Sequence, residues 1–357
     1  VYCLFVLLHV EEVGPTAFVP HLSVLVGIGQ AVASTFVLSY FIHDVAESVR
    51  APYIVARVAA DLTASIDRLF PKRIGQGSGD DDTQAIETVN RLRTQPSNAV
   101  LAKFEGYLQA IDSATLMESA RDHDWIVQLQ VRPGDFLMLG DPVARLWAPP
   151  GEVDKAAGLI NGTLIVGNTR TSRQDVNCAI HELVQMAVRA LSPGVNDPFT
   201  AINVIDRLAA ALAQLAQREI PSLFRSDAEG KLRVITHGVT FADAMAAAFT
   251  PIRQHTRSAP AVAMRLLQGL RGIGEKARRQ ADRETVRYHA LLIKKTMREG
   301  DHLPEDLEQI CEQVGCVEEV LSGMTEPNWR RELPASSPHA AGFQDHKSGQ
   351  PNGEVNG

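Results

Sequence analysis

The chain is expected to be an α+β protein. A small β-barrel- or sandwich-like part and a helical part would form a cytoplasmic domain attached to transmembrane α-helices. Three observations predict this. Leu22–Ile42, LSVLVGIGQAVASTFVLSYFI, contains no charged residue. Short β-like runs broken by turn residues fill the segment from Gly106 to Gly167. From Asp175 onward, apolar residues recur at helical spacing.

The elements follow in order. The first residue is Val and the chain opens inside an apolar run, VYCLFVLLHV. We therefore read it as a fragment whose own N-terminus and further membrane segments lie upstream. Val1–Leu8 reads as the end of one span. The loop after it carries Glu11 and Glu12 but no Lys or Arg. Leu22–Ile42 is long enough for a bilayer core of about 30 Å, and Gln30 at mid-depth is expected to hydrogen-bond another helix. Arg50, Arg57, Arg68, Lys72 and Arg73 follow, so positive residues place the rest on the cytoplasmic side. Residues 1–44 are assigned to the membrane region, and residues 45–82 to an amphipathic helix and linker. In that helix Ile54, Val58, Leu62, Ile66 and Leu69 share one face.

Residues 83–168 read as a β-rich subdomain with one inserted helix at Ser113–Asp122. Its RPGD turn is set by Pro133 and Gly134. The GYLQAI and PGDF runs resemble the hammerhead repeats of lipoyl-like domains. No lysine sits at the turn, so covalent lipoyl or biotin attachment is not implied. Residues 169–333 read as mainly helical, with a strand at KLRVIT, and residues 334–357 as a disordered tail.

Two polar stretches flank the helix predicted over Asp175–Leu191. The first is GNTRTSRQD, ending at Asp175; the second is RALSPGVNDPFTAI, beginning at Arg189. In the second, Pro193 ends a helix, Gly194 suits a left-handed turn, and Asn196 or Asp197 caps the next helix ahead of Pro198. In the first, Arg170 and Arg173 lie beside a helix N-terminus, a combination suited to anions. The candidate ligand-binding set is Arg170, Thr171, Arg173, Gln174, Asp175, Arg189, Ser192, Asn196 and Asp197. Because a helix separates its two halves by roughly 25 Å, one shared site would need another element or subunit.

Other motifs exclude more than they suggest. HELVQ, His181–Gln185, lacks the second histidine of a zinc-protease helix. Cys3, Cys178, Cys311 and Cys316 have no metal-knuckle spacing. No catalytic triad, phosphate loop or cofactor motif is recognisable, so no catalytic residue, metal or cofactor is assigned. The chain has net charge −7. Arg253–Arg298 nevertheless holds twelve Lys and Arg against Glu275, Asp282 and Glu284, a local +9. Such a basic region suits anionic lipid headgroups. Nucleic acid is not expected, because no matching fold signature accompanies the charge.

The stretches RTSRQDV, HELVQMAVRALSPGVNDPFTAINVIDRL, FVPHLSV, YFIHDVAESV and IVARVAADLTASIDRLFP resemble a bacterial family of predicted membrane proteins, domain of unknown function 2254. The resemblance covers roughly Val1–Gly323. It implies several N-terminal membrane helices and a cytoplasmic domain, and no assigned activity. It also leads us to expect an acidic residue near Gln185, where this chain differs. The functional expectation is an integral, multi-pass inner-membrane protein, more a non-enzymatic channel-like, transport-related or sensory assembly than an enzyme, and a homo-oligomer in the bilayer. The alternative is a membrane-anchored binding module or enzyme for a small anionic ligand.

Overall fold

Period-3.6 and period-2 patterns alternate along the chain, and the computed structural model follows them over residues 21–48, 51–70 and 80–323, the part described here. Helices α1 (His21–Ser48), α2 (Ala51–Leu69) and α3 (Asp80–Leu92) come first. Strands β1 (Asn98–Leu101) and β2 (Gly106–Ile111), helix α4 (Ser113–Asp122), and strands β3 (Ile126–Leu129), β4 (Phe136–Leu137) and β5 (Pro142–Trp147) follow. Helix α5 (Val153–Thr163) and strand β6 (Leu164–Gly167) lead into α6 (Val176–Ala190) and α7 (Pro198–Leu215). Strands β7 (Phe224–Ser226) and β8 (Leu232–Ile235) precede α8 (Phe241–Gln254), α9 (Pro260–Lys276), α10 (Gln280–Arg298) and α11 (Pro304–Ser322).

The strands form two open sheets. One has the order β1-β5-β3-β8-β7, antiparallel except for the parallel β3–β8 pair. The other is β4-β2-β6, antiparallel throughout. Of the barrel or sandwich expected, no closed barrel forms among the described residues. Short strands of two to six residues meet at bulges in β1–β5, β2–β6 and β7–β8, and such irregularities interrupt a continuous ladder. Strand β8 arrives from beyond α7 to sit beside β3, so residues far apart in sequence complete the larger sheet.

The transmembrane attachment is corrected as well. Among the described residues no helix is long and apolar enough to cross a membrane. Helix α1 has 28 residues, but Gln30, Ser34, Thr35 and Ser39 punctuate its uncharged run, and His43, Asp44 and Glu47 lie near its end. Freedom from charge is a weaker condition than sustained apolarity. Gln30 is exposed. The expected span end at Val1–Leu8, residues 71–79 of the expected linker and the expected tail fall outside the described residues.

Two main cores result. The helical one buries Leu62 and Ile66 of α2 against Ile180 and Leu183 of α6, Leu208 of α7 and Leu267 of α9. Each such side chain contributes about 1.5–3 kcal/mol when fully buried. The second core joins both sheets to α4 and α5 around Trp125, Leu108 and Leu146.

Candidate functional site

The RPGD turn is the first structural piece of the site. Arg132 N donates to Asp135 Oδ2 at 2.9 Å, and Gly134 N donates to Leu108 O at 2.8 Å. Gly134 adopts φ +100°, and a Cβ there would collide with the Asp175 carboxylate and the Arg170 guanidinium. Glycine is needed both for the backbone conformation and for this close approach.

Asp175 is the second piece. It caps α6 by accepting from Asn177 N at 3.0 Å. Its other oxygen accepts from Arg170 Nη2 at 2.5 Å and Nε at 3.2 Å, and its side chain is 2% exposed. Arg170 Nη1 lies 2.9 Å from His181 Nδ1. Burial, and then the neighbouring Arg170 charge, lower the His181 pKa, so its ring is neutral and accepts this bond. Burial pushes the Cys178 thiol up, with Glu182 and Asp175 adding to the effect, which makes it a poor nucleophile.

Gln174 is the third piece. Its amide accepts from Ile111 N at 3.0 Å and donates to Ile111 O at 3.2 Å, extending the edge of β2 as a backbone group would. Thr171 Oγ1 is buried without a partner among the described residues, and Arg173 is exposed.

Beside this wall lies a cavity of about 360 Å³. Its floor is apolar and buried, with Phe70, Leu116, Leu129, Val131, Val176 and Val234. Arg132, Gln174, Arg225 and His237 line it as well. His237 and Arg225 are exposed, and Arg132 is half-buried. The Arg132 guanidinium is only loosely engaged, 3.8 Å from Asp135 and 3.7 Å from Asp243. An apolar hollow of this size with a few convergent polar groups is the usual form of a small-molecule site.

The second polar stretch is elsewhere. Asp197 caps α7, accepting from Thr200 N at 3.1 Å and Thr200 Oγ1 at 2.6 Å. Those bonds hold its carboxyl below the usual range. Asp197 N donates to Ala190 O at 2.8 Å, and Ser192 Oγ donates to Arg189 O at 2.7 Å. The left-handed residue is Asn196, φ +47°, rather than the expected Gly194. Asparagine tolerates that region better than most residues. Arg189 is exposed.

Of the nine sequence candidates, Arg170, Asp175 and Gln174 therefore meet around the Gly134 turn. Arg189, Ser192, Asn196 and Asp197 gather at the far end of α6, about 22 Å away along the helix. Gln174 also lines the cavity. In the sequence Arg132 stands only as part of the RPGD turn, and neither His237 nor Arg225 belongs to the candidate set. Arg132 and His237 lie in separate loops and Arg225 in β7, and only the turn chemistry of RPGD pointed near them. Among the described residues no group of His, Cys, Asp and Glu is arranged to hold a metal ion.

A family model described as "Predicted membrane protein (DUF2254)" matches residues 1–272. Similar curated sequences include the uncharacterized proteins Mb1321c of Mycobacterium bovis and MT1328 and Rv1290c of Mycobacterium tuberculosis. Each is 29% identical over 290 residues, covering 79% of this chain and 54% of the relative. The chain spans about half the length of the curated relatives it matches. No solved structure matches.

Proposed function

Given that the chain belongs to the domain of unknown function 2254 family of predicted membrane proteins, we propose that it is a non-enzymatic, sensory component of a membrane assembly, with a cavity that takes a small amphipathic anion. One observation supports this reading above the others: the cavity has an apolar, buried floor and a loosely engaged guanidinium at Arg132. The apolar body of a ligand would displace water from Leu116, Leu129 and Val234. Its anionic group would take the donors of Arg132, with His237 and Arg225 nearby. Gln174 and Val176 tie this cavity to the start of α6, so an occupant would bear on the same wall that Arg170 and Asp175 hold in place.

The test uses the full chain in lipid nanodiscs and two probes of one shape, 4-phenylbutyrate and 4-phenylbutanol, with thermal unfolding as readout. The acid is expected to raise the unfolding temperature more than the alcohol. Arg132→Gln should weaken the acid about tenfold, the size of a lost charge-assisted hydrogen bond, and bring it to the alcohol's level. Met117→Trp, which fills the cavity, should abolish both responses. Arg173→Ala, at the neighbouring exposed arginine, separates this cavity from an anion site at the helix start. Loss of the response in that variant alone would move the site to Arg173. No response from either probe, or one unchanged by Met117→Trp, overturns the proposal.

A further inference from the structure

The helices of the large core alternate in direction, and its two ends have different chemistry. Ser65 and Arg68, late in α2, donate to Ser172 O just before α6 at 3.3 and 2.9 Å. Asp67 accepts from Gln214 at the end of α7 at 2.8 Å and also pairs with Arg218. Helix α2 therefore runs antiparallel to α6 and parallel to α7. Its first turn lies at the end of the bundle where the Ser192–Asp197 corner joins α6 to α7.

Other elements finish or begin at the same end. Pro251 and His255 at the close of α8 share a surface hollow with Val188, Arg189 and Pro193. Arg253 donates to Thr296 near the end of α10 at 2.7 Å, and Arg257 pairs with Glu299 at 3.4 Å. Helix α11 runs antiparallel to α10, because Arg287 pairs with Glu318 at 2.8 Å and Arg283 donates to Leu321 O at 3.1 Å. Leu303 thus sits at this end too.

The end is apolar at its tips, with a cluster of cations late in α10 beside them. Phe199 is 79% exposed, Leu303 67%, Tyr53 61% and Val195 57%. Arg189 and Arg257 are exposed beside the corner, and the last turns of α10 bring Lys294, Lys295 and Arg298. These three α10 residues pair with no acid among the described residues. Of the acids here, Asp197 is occupied by Thr200 and Glu299 by Arg257, Asp301 is exposed in the connection between α10 and α11, and Glu305 and Asp306 open α11. Helix α1 ends two residues before α2 begins, so it leaves from this same end, and it exposes Leu25, Ile28, Val32, Phe36 and Phe41.

We propose that this end of the helical core docks on an anionic lipid surface, with Phe199 and Val195 entering the boundary between headgroups and acyl chains. Aromatic and aliphatic tips beside Lys and Arg have the composition of interfacial anchors. Each cation near such a surface adds attraction that salt screens. The acyl boundary accepts the exposed Phe199 and Val195, and the headgroups accept Lys294, Lys295 and Arg298. The membrane character of the family and the exit of α1 favour lipid over a second copy of the chain as the occupant.

The test places a tryptophan at the tip in the full chain, Phe199→Trp, reconstituted in vesicles of phosphatidylcholine mixed with phosphatidylglycerol. Some acyl chains carry bromine near the headgroup. Leu159→Trp, on α5, is the control, and the native tryptophans are subtracted using the parent chain. Phe199→Trp fluorescence should be quenched well above the control. The excess should fall to the control's level without phosphatidylglycerol, or when Lys294, Lys295 and Arg298 are all changed to Gln. Equal quenching at both positions overturns the proposal. So does an unquenched, blue-shifted tip whose shift depends on protein concentration, which would assign the corner to a second copy.

Discussion

Asp175 serves three structural purposes at once: it caps α6, pairs with Arg170 and fills the space that only a glycine at position 134 leaves open. Asp175→Ala should cost about 2 kcal/mol, because Arg170 keeps some solvent while the cap and the pair are both lost. Asp175→Asn should cost less, since asparagine also caps. The midpoint of urea unfolding reads both, and equal losses would deny the ion pair its share. His289 makes a different prediction. Burial, and then the Arg253 charge, lower its pKa to about 4. The unfolded chain takes up that proton near pH 6.5, while the folded chain resists until about pH 4. Stability is therefore complete above the upper value and declines as pH falls through this window, by about 3 kcal/mol in total. His289→Leu should flatten unfolding free energy against pH there, and an unchanged slope would assign it to other groups.

The α6–α7 corner shows what an element's sequence does and does not disclose. SPGVNDP was legible as a corner capped by Asp197 with Pro198 in the first turn, and the helix forms that way. The left-handed residue was misplaced by two positions, because Gly and Asn both tolerate positive φ and the choice depends on the bond from Asp197 N to Ala190 O. Asn196→Val should destabilise by about 1–2 kcal/mol, while Asn196→Gly is expected to be close to neutral; the same urea midpoints decide. Helices with a clear apolar stripe were readable to within a residue or two: the helix expected over Asp175–Leu191 forms as Val176–Ala190, and Ser113–Asp122 forms as expected. β1 and β7 were not, being edge strands of four and three residues; the partner of β1 lies far along the chain, and β7 is too short to show an alternating pattern. Helix α5 was missed for another reason: VDKAAGLINGT contains Gly158 and Gly162, which dilute the helical signal.

At the scale of the molecule, composition and pattern anticipated an α+β protein and the family, but neither the open sheets nor the cavity. The uncharged run near the N-terminus was over-read, because absence of charge in α1 does not make a helix apolar enough to cross a membrane. The cavity was illegible because its wall is assembled from Phe70, Leu116, Arg132, Gln174 and His237, which only tertiary packing brings together. Its position beside the start of α6 is what turns an apolar gap into a candidate sensor. The most direct test labels the methionine methyl groups with carbon-13 in the full chain and adds 4-phenylbutyrate. Met117 lines the cavity, while Met138 lies exposed on the β-rich part. A shift confined to Met117 that needs about tenfold more probe in Arg132→Gln is the predicted result. A Met117 signal that stays fixed while the probe binds elsewhere, or methionines that all move together, would contradict the account.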